Sequence, residues 1–239
     1  MYWLINSSIG KKLIMSISGI VLVLFLLFHV SMNVVAVFSE EAYNAICSLL
    51  GANWYAVVAT LILGGIVAIH FIYALMLTLQ NRKARGNGRY AVNIRPKNVE
   101  WASQNMFVLG LIVAGFLVLH FSQFWYKMMF AELLGYHAVK LGASCVSPQD
   151  GVAFIKYYFS QTWVVIAYLI WYADLWFHLS HGFWSALQSI GWSSKIWFNR
   201  WKITGQVLAT LICLGFAFVT IYFYVTALCS VATDFFIHD

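Results

Sequence analysis

Apolar residues run along this chain in five long blocks, approximately from Leu13 to Phe38, Trp54 to Leu79, Met106 to Tyr126, Thr162 to Leu187 and Thr204 to Leu228, with polar stretches between them. A helix that spans lipid needs about 20 mostly apolar residues, because all its backbone polar groups must be satisfied within the helix. Each block meets that length. The pattern predicts an all-α fold, an integral membrane bundle of five transmembrane helices forming one domain over 1–239. No soluble domain, low-complexity tract or obvious internal repeat interrupts it.

Composition reinforces the pattern. The chain of 239 residues is 62% hydrophobic and 9% charged, against roughly a quarter charged for a soluble domain. Its basic residues are placed unevenly. Lys11 and Lys12 precede the first block; Arg82, Lys83, Arg85, Arg89, Arg95 and Lys97 lie between the second and third; Lys195, Arg200 and Lys202 lie between the fourth and fifth. That puts eleven of the fourteen basic residues on one side. The positive-inside rule then predicts a cytoplasmic amino terminus and an outer carboxyl terminus. The net charge of +6 is read as a topology signal, and nucleic-acid binding is a poor explanation of it.

The first block is too long for the core of a secretory signal and is followed by no convincing small-x-small cleavage site, so it is read as retained. Of the four cysteines, Cys47 and Cys145 fall in outer loops, and Cys213 and Cys229 lie in or near the last span. No metal-binding spacing links them. They are read as ordinary thiols, with a Cys47–Cys145 disulfide as the alternative.

Histidine carries the functional signal. His29, His70, His120 and His178 each fall well inside a different one of the first four spans, and ionisable residues inside a membrane are functional by default. With the outer boundary near Ser39, Trp54, Lys127 and Gln161 and a rise of 1.5 Å per residue, His29 and His120 lie roughly 15 and 10 Å from the outer edge; His70 and His178 lie roughly 24 and 26 Å from it. Two layers result, each with two histidines from different helices. Two stacked six-coordinate b haems require that arrangement, with one axial imidazole on each side of each iron. The expected ligand pairs are His29 with His120 and His70 with His178. Gly64, Gly65, Gly115 and Gly182 are expected to let the flat macrocycles approach the helix backbones.

In "WYADLWFHLSHGFW", Asp174, His178 and His181 are spaced i, i+4 and i+7 and share one face of the fourth helix. Depth favours His178 over His181 as the partner of His70. His181 is expected to join Ser185 and Gln188 on a polar stripe in a hydrogen-bonding role, satisfied by a propionate, water or a partner subunit. Asp174 admits two readings, proton carriage or a hydrogen bond to a neighbouring hydroxyl or indole.

At these residues the chain resembles a known family. "SSIGKKLIMSISGIVLVLFLLFHVSMN", "RPKNVEWASQNM" and "HLSHGFWSALQSIG" are similar to segments of the cytochrome b membrane anchor of succinate dehydrogenases and fumarate reductases, of the single-chain, five-helix, two-haem type. The resemblance covers essentially the whole chain. It implies haem ligands from the first four spans, the last being the first histidine of an H-x-x-x-G pattern, here His178 to Gly182. It further implies a respiratory electron-transport role, with a flavoprotein subunit and an iron–sulfur subunit held on the cytoplasmic side and electrons exchanged with a quinone, typically menaquinone. The basic loop from Asn81 to Glu100 and the inner ends of the first and fourth helices are the expected docking surface. No flavin or nucleotide fingerprint and no iron–sulfur cysteine set occurs in the chain, so succinate and fumarate would interconvert in a partner.

Two features depart from, or fall outside, the resemblance. A fumarate reductase of this type has a glutamate two residues before the fourth-span ligand, associated with transmembrane proton transfer; this chain has Trp176 there, with Asp174 as a nearby substitute at best. The family's quinone site does not transfer residue by residue. Glu40 and Glu41, just past the outer histidine layer, are the candidate acceptors of quinol protons, set against a plain solvated-loop reading. Two rival functions remain: a two-haem cytochrome b of a hydrogenase, a formate dehydrogenase or transmembrane ascorbate reduction, and a haem-free transporter or channel.

Overall fold

The computed structural model describes residues 7–85 and 100–237. Its long helices are α1 (Ser8–Phe38), α3 (Trp54–Arg85), α4 (Trp101–His120), α7 (Thr162–Ser189) and α8 (Lys195–Ile237). Shorter helices are α2 (Glu40–Leu49), α5 (Ala131–Leu133) and α6 (Gly151–Phe159). A π-helical stretch, Phe121–Phe130, joins α4 to α5, and two three-residue strands, β1 (Val139–Leu141) and β2 (Ser144–Val146), form a hairpin. Five helical rods are long and apolar enough to cross a membrane: Ser8–Phe38, Trp54–Ala84, Trp101–Leu133, Thr162–Ser189 and Lys195–Ser230. The protein is an all-α helical bundle of multi-pass membrane character.

The helices outrun the apolar blocks because backbone hydrogen bonding continues where the side chains turn polar. Ser7 caps α1, its hydroxyl accepting from the Gly10 N–H at 2.9 Å, and Ser194 does the same for α8 through the Trp197 N–H. Such caps satisfy N–H groups that have no partner inside the helix. Leu61, Val118, Leu211 and Leu214 are each more than 60% exposed, as expected of side chains that face acyl chains. Most of the basic loop between the second and third spans, including Arg89, Arg95 and Lys97, lies outside the described residues.

Contacts divide the chain into two compact units. The first comprises Met1–Phe25, Ile62–Ile112 and Asp174–Thr210. Here a Cβ on Gly205 would come within 3.0 Å of the Phe183 ring, so the missing side chain lets α8 approach α7. The Trp176 indole donates to the Thr210 hydroxyl at 2.9 Å.

The second unit comprises Leu26–Leu61, Val113–Ala173 and Leu211–Asp239. It contains structure that the hydrophobic pattern did not predict, in the segment between the third and fourth spans. Helix α6 is capped by Asp150, whose side chain accepts from the Ala153 N–H, and buries Val152, Phe154, Ile155, Tyr158 and Phe159. The Asn44 amide of α2 clasps it, donating to Asp150 Oδ1 at 2.9 Å and accepting from the Val152 N–H at 3.0 Å. Glu132 ties down the turn after α2, accepting from the Ala52 N–H and from the Gln149 amide. A Cβ on Gly51 would lie 2.5 Å from its Oε2. In the hairpin, Gly142 adopts φ +63°, which favours glycine in a two-residue turn.

Candidate functional site

In the second unit α1 carries His29 and the end of α4 carries His120. Their ring centroids are 5.9 Å apart, with planes at 84°. Phe216 of α8 packs on His29 at 5.6 Å, and Phe124 and Trp171 pack on His120 at 5.2 and 5.8 Å. The hydrogen bonds around His120 set its tautomer. The buried Tyr168 hydroxyl donates its single proton to Gln123 Oε1 at 2.8 Å, so at the 3.3 Å contact with His120 Nδ1 the phenol oxygen accepts and Nδ1 donates. The lone pair of His120 then resides on Nε2.

The first unit contains the matching arrangement. His70 of α3 and His178 of α7 have ring centroids 6.4 Å apart and planes at 65°. The Ser18 hydroxyl donates to the Met15 carbonyl at 3.0 Å and lies 3.0 Å from His70 Nδ1. Nδ1 is therefore the donor here too, and the Nε2 lone pair is available. His178 Nδ1 is buried with no hydrogen-bond partner among the described residues. Glycines face both rings: a Cβ on Gly19 would lie 3.2 Å from His70 Cε1, and one on Gly110 3.6 Å from His178 Cε1. The glycines expected from the sequence to admit a macrocycle are others, Gly64, Gly65, Gly115 and Gly182. At Gly64, Gly65 and Gly115 a Cβ would meet no atom within 4 Å, and at Gly182 only Met106 Cε at 4.0 Å. Gly19 and Gly110 were missed because each serves a histidine on another helix, a relation that spacing along one helix does not show.

Two axial imidazoles on one iron, each about 2 Å from the metal through nitrogen, place their ring centroids roughly 6 Å apart. Both pairs meet that separation, and in each at least one ring has its tautomer set so that Nε2 is the free donor. Among the described residues no three His, Cys, Asp or Glu side chains converge as a bare metal ion would require. Two nitrogen donors at that separation are the number of protein ligands a haem iron would take, and each pair fits that group.

The remaining candidates fall as follows. His181 is buried, and where a propionate, water or a partner subunit was expected to satisfy it, Glu100 of the same chain does: His181 Nδ1 is 3.3 Å from Glu100 Oε2, and Glu100 is in turn ion-paired to Lys202. Burial pushes the Glu100 carboxyl up, but the hydrogen bonds and charges of Lys202 and His181 outweigh it and hold the group below its ordinary value. In the sequence Glu100 stands only at the end of the expected docking loop, and its place immediately before the third span was the available signal. Asp174 is buried, and its Oδ2 has no hydrogen-bond partner among the described residues.

Glu40 and Glu41 occupy the first turn of α2, behind the Ser39 cap, where the helix dipole favours negative charge. Both are exposed, and Glu40 forms a 2.6 Å ion pair with the half-exposed Lys156. Cys47 and Cys145 are not bonded to each other. The Cys47 thiol packs against Gly151, and burial pushes it up to about 11; burial likewise pushes the neighbouring Tyr43 phenol up. No family model, curated protein or solved structure matches the chain.

Proposed function

We propose that this chain is the two-haem membrane anchor of a succinate:quinone oxidoreductase, a succinate dehydrogenase or fumarate reductase, exchanging electrons between an iron–sulfur partner and a quinone, with menaquinone the expected species. The observation that carries the haem assignment is the pair of imidazole couples, 5.9 and 6.4 Å between ring centroids. His29 and His120 would hold one haem, and His70 and His178 the other, and each haem would supply a one-electron redox centre. The chain's own residues orient the imidazoles through Tyr168 and Ser18, exclude water with Phe124, Trp171 and Phe216, and bring backbone close at Gly19 and Gly110.

The resemblance noted in the sequence supports the choice of complex, with a flavoprotein subunit and an iron–sulfur subunit docked on the basic side. Glu40 and Glu41 are the proposed acceptors of quinol protons, next in sequence to the helix that bears His29. The test is purification of the intact complex with its co-purifying subunits. The expected result is two b haems per chain by reduced-minus-oxidised spectrum and extraction, together with a subunit bearing covalent flavin. One haem or none overturns the two-haem assignment, and two haems beside a nickel–iron or molybdenum subunit overturn the succinate reading alone.

A further inference from the structure

Each histidine pair has one ring whose Nδ1–H is met by a hydroxyl, but the hydroxyls differ. At His70 the acceptor is Ser18, backed by a backbone carbonyl. At His120 it is the phenol of Tyr168, backed by the Gln123 amide. Tyr168 is 2% exposed and Gln123 5%, so this chain of bonds is dry, where each bond polarises the next. The π-helical stretch begins at the residue after His120, and π-helical turns concentrate at functional sites. The wide turn carries Gln123 and also sets Phe124 against the His120 ring.

We infer that Tyr168, held by Gln123, is a positioning residue that tunes His120: it accepts from Nδ1–H, fixes the ring's orientation and leaves Nε2 as the electron-donating nitrogen. This rests on the haem assignment above. A hydrogen bond from the distal nitrogen raises the basicity of a ligating imidazole, and a more basic ligand favours the oxidised metal, so the bond lowers the potential of the site. Gln123 contributes at one remove. By accepting a hydrogen bond from the phenol O–H it makes the phenol oxygen a better acceptor.

The competing reading is that Tyr168 only packs, since its ring also touches Phe159, Trp171 and Tyr172. Tyr168→Phe keeps the ring and removes the acceptor, so it separates the two. The experiment is a redox titration of the purified complex, followed by optical and electron paramagnetic resonance spectra, on wild type, Tyr168→Phe and Gln123→Met. The His29–His120 signal is assigned by its loss in His29→Ala. In Tyr168→Phe the midpoint of that signal should rise while the His70–His178 midpoint stays in place. In Gln123→Met it should rise by a smaller amount. An unmoved midpoint in Tyr168→Phe overturns the inference and leaves the haem assignment intact. If Tyr168→Phe does not assemble, Gln123→Met decides: a raised midpoint supports the inference and an unchanged one overturns it. A wild-type complex without haem overturns the assignment and, with it, the role given to Tyr168.

Discussion

The rings of His29 and His120 stand nearly perpendicular, at 84°, with centroids 5.9 Å apart; they come from helices whose histidines are separated by 91 positions in the chain. On a low-spin ferric haem held by both rings, planes crossed this steeply would give a strongly anisotropic electron paramagnetic resonance signal, because no common axis would lift the orbital degeneracy. The His70–His178 planes, at 65°, should give a related but distinct signal. Replacing His29 or His120 by alanine should remove the first signal and keep the second; His70→Ala or His178→Ala should do the reverse. Loss of the same signal from a variant of each pair would show that the pairing is wrong.

His181 is expected to support structure without ligating iron. His181→Ala should keep both bis-histidine signals, whereas His178→Ala loses one. If the two results are exchanged, the ligand on α7 is His181.

The pairing of Glu100 with Lys202 and His181 has a pH signature. The carboxyl is held below its ordinary value in the folded chain, so the unfolded state binds its proton first as pH falls. The stabilisation is therefore complete above the ordinary carboxylate range and is lost as pH drops through the lowered value. Glu100→Gln should cost about 1 kcal/mol near neutrality, discounted for partial exposure, and should flatten the acid limb of the thermal-stability profile. An unchanged acid limb would show that the network contributes nothing.

Cysteine labelling tests the topology. Cys145 sits exposed on the hairpin, while the Cys47 thiol is packed against Gly151 and pushed up to about 11. In a Cys229→Ser background, which removes the other exposed thiol, a membrane-impermeant maleimide added to intact cells should label Cys145 quickly, and Cys145→Ser should abolish that fast phase. Cys47 should react slowly at neutral pH and faster as pH rises, because the thiolate is the nucleophile. Labelling of Cys145 only after the cells are opened would invert the orientation.

Glu40→Gln and Glu41→Gln should each lower quinol-linked turnover by tenfold or more, as expected for loss of a general base, with haem content and dye-linked succinate oxidation unchanged. Normal quinol turnover in both variants would place the proton acceptor elsewhere.

The membrane character, the five spans and the four intramembrane histidines were legible before any coordinate, because lipid imposes a local rule: about 20 apolar residues per helix and no tolerated charge without a purpose. That rule reads one helix at a time, which also explains where it stops. The fold between the third and fourth spans, with its hairpin and the buried helix α6, depends on Asn44 meeting Asp150 across 106 residues and on Glu132 holding the turn at Gly51 and Ala52. The wide turn after His120 shows itself only in space, where Trp125 stacks on Phe130 five residues on. Depth along a helix suggested which histidines share a layer; which glycine faces which imidazole, and that Ser18, Tyr168 and Glu100 are the groups hydrogen-bonded to His70, His120 and His181, follows from helix rotation and crossing. Those are set by ridge-into-groove packing of whole helices, a property that no segment of the sequence carries alone.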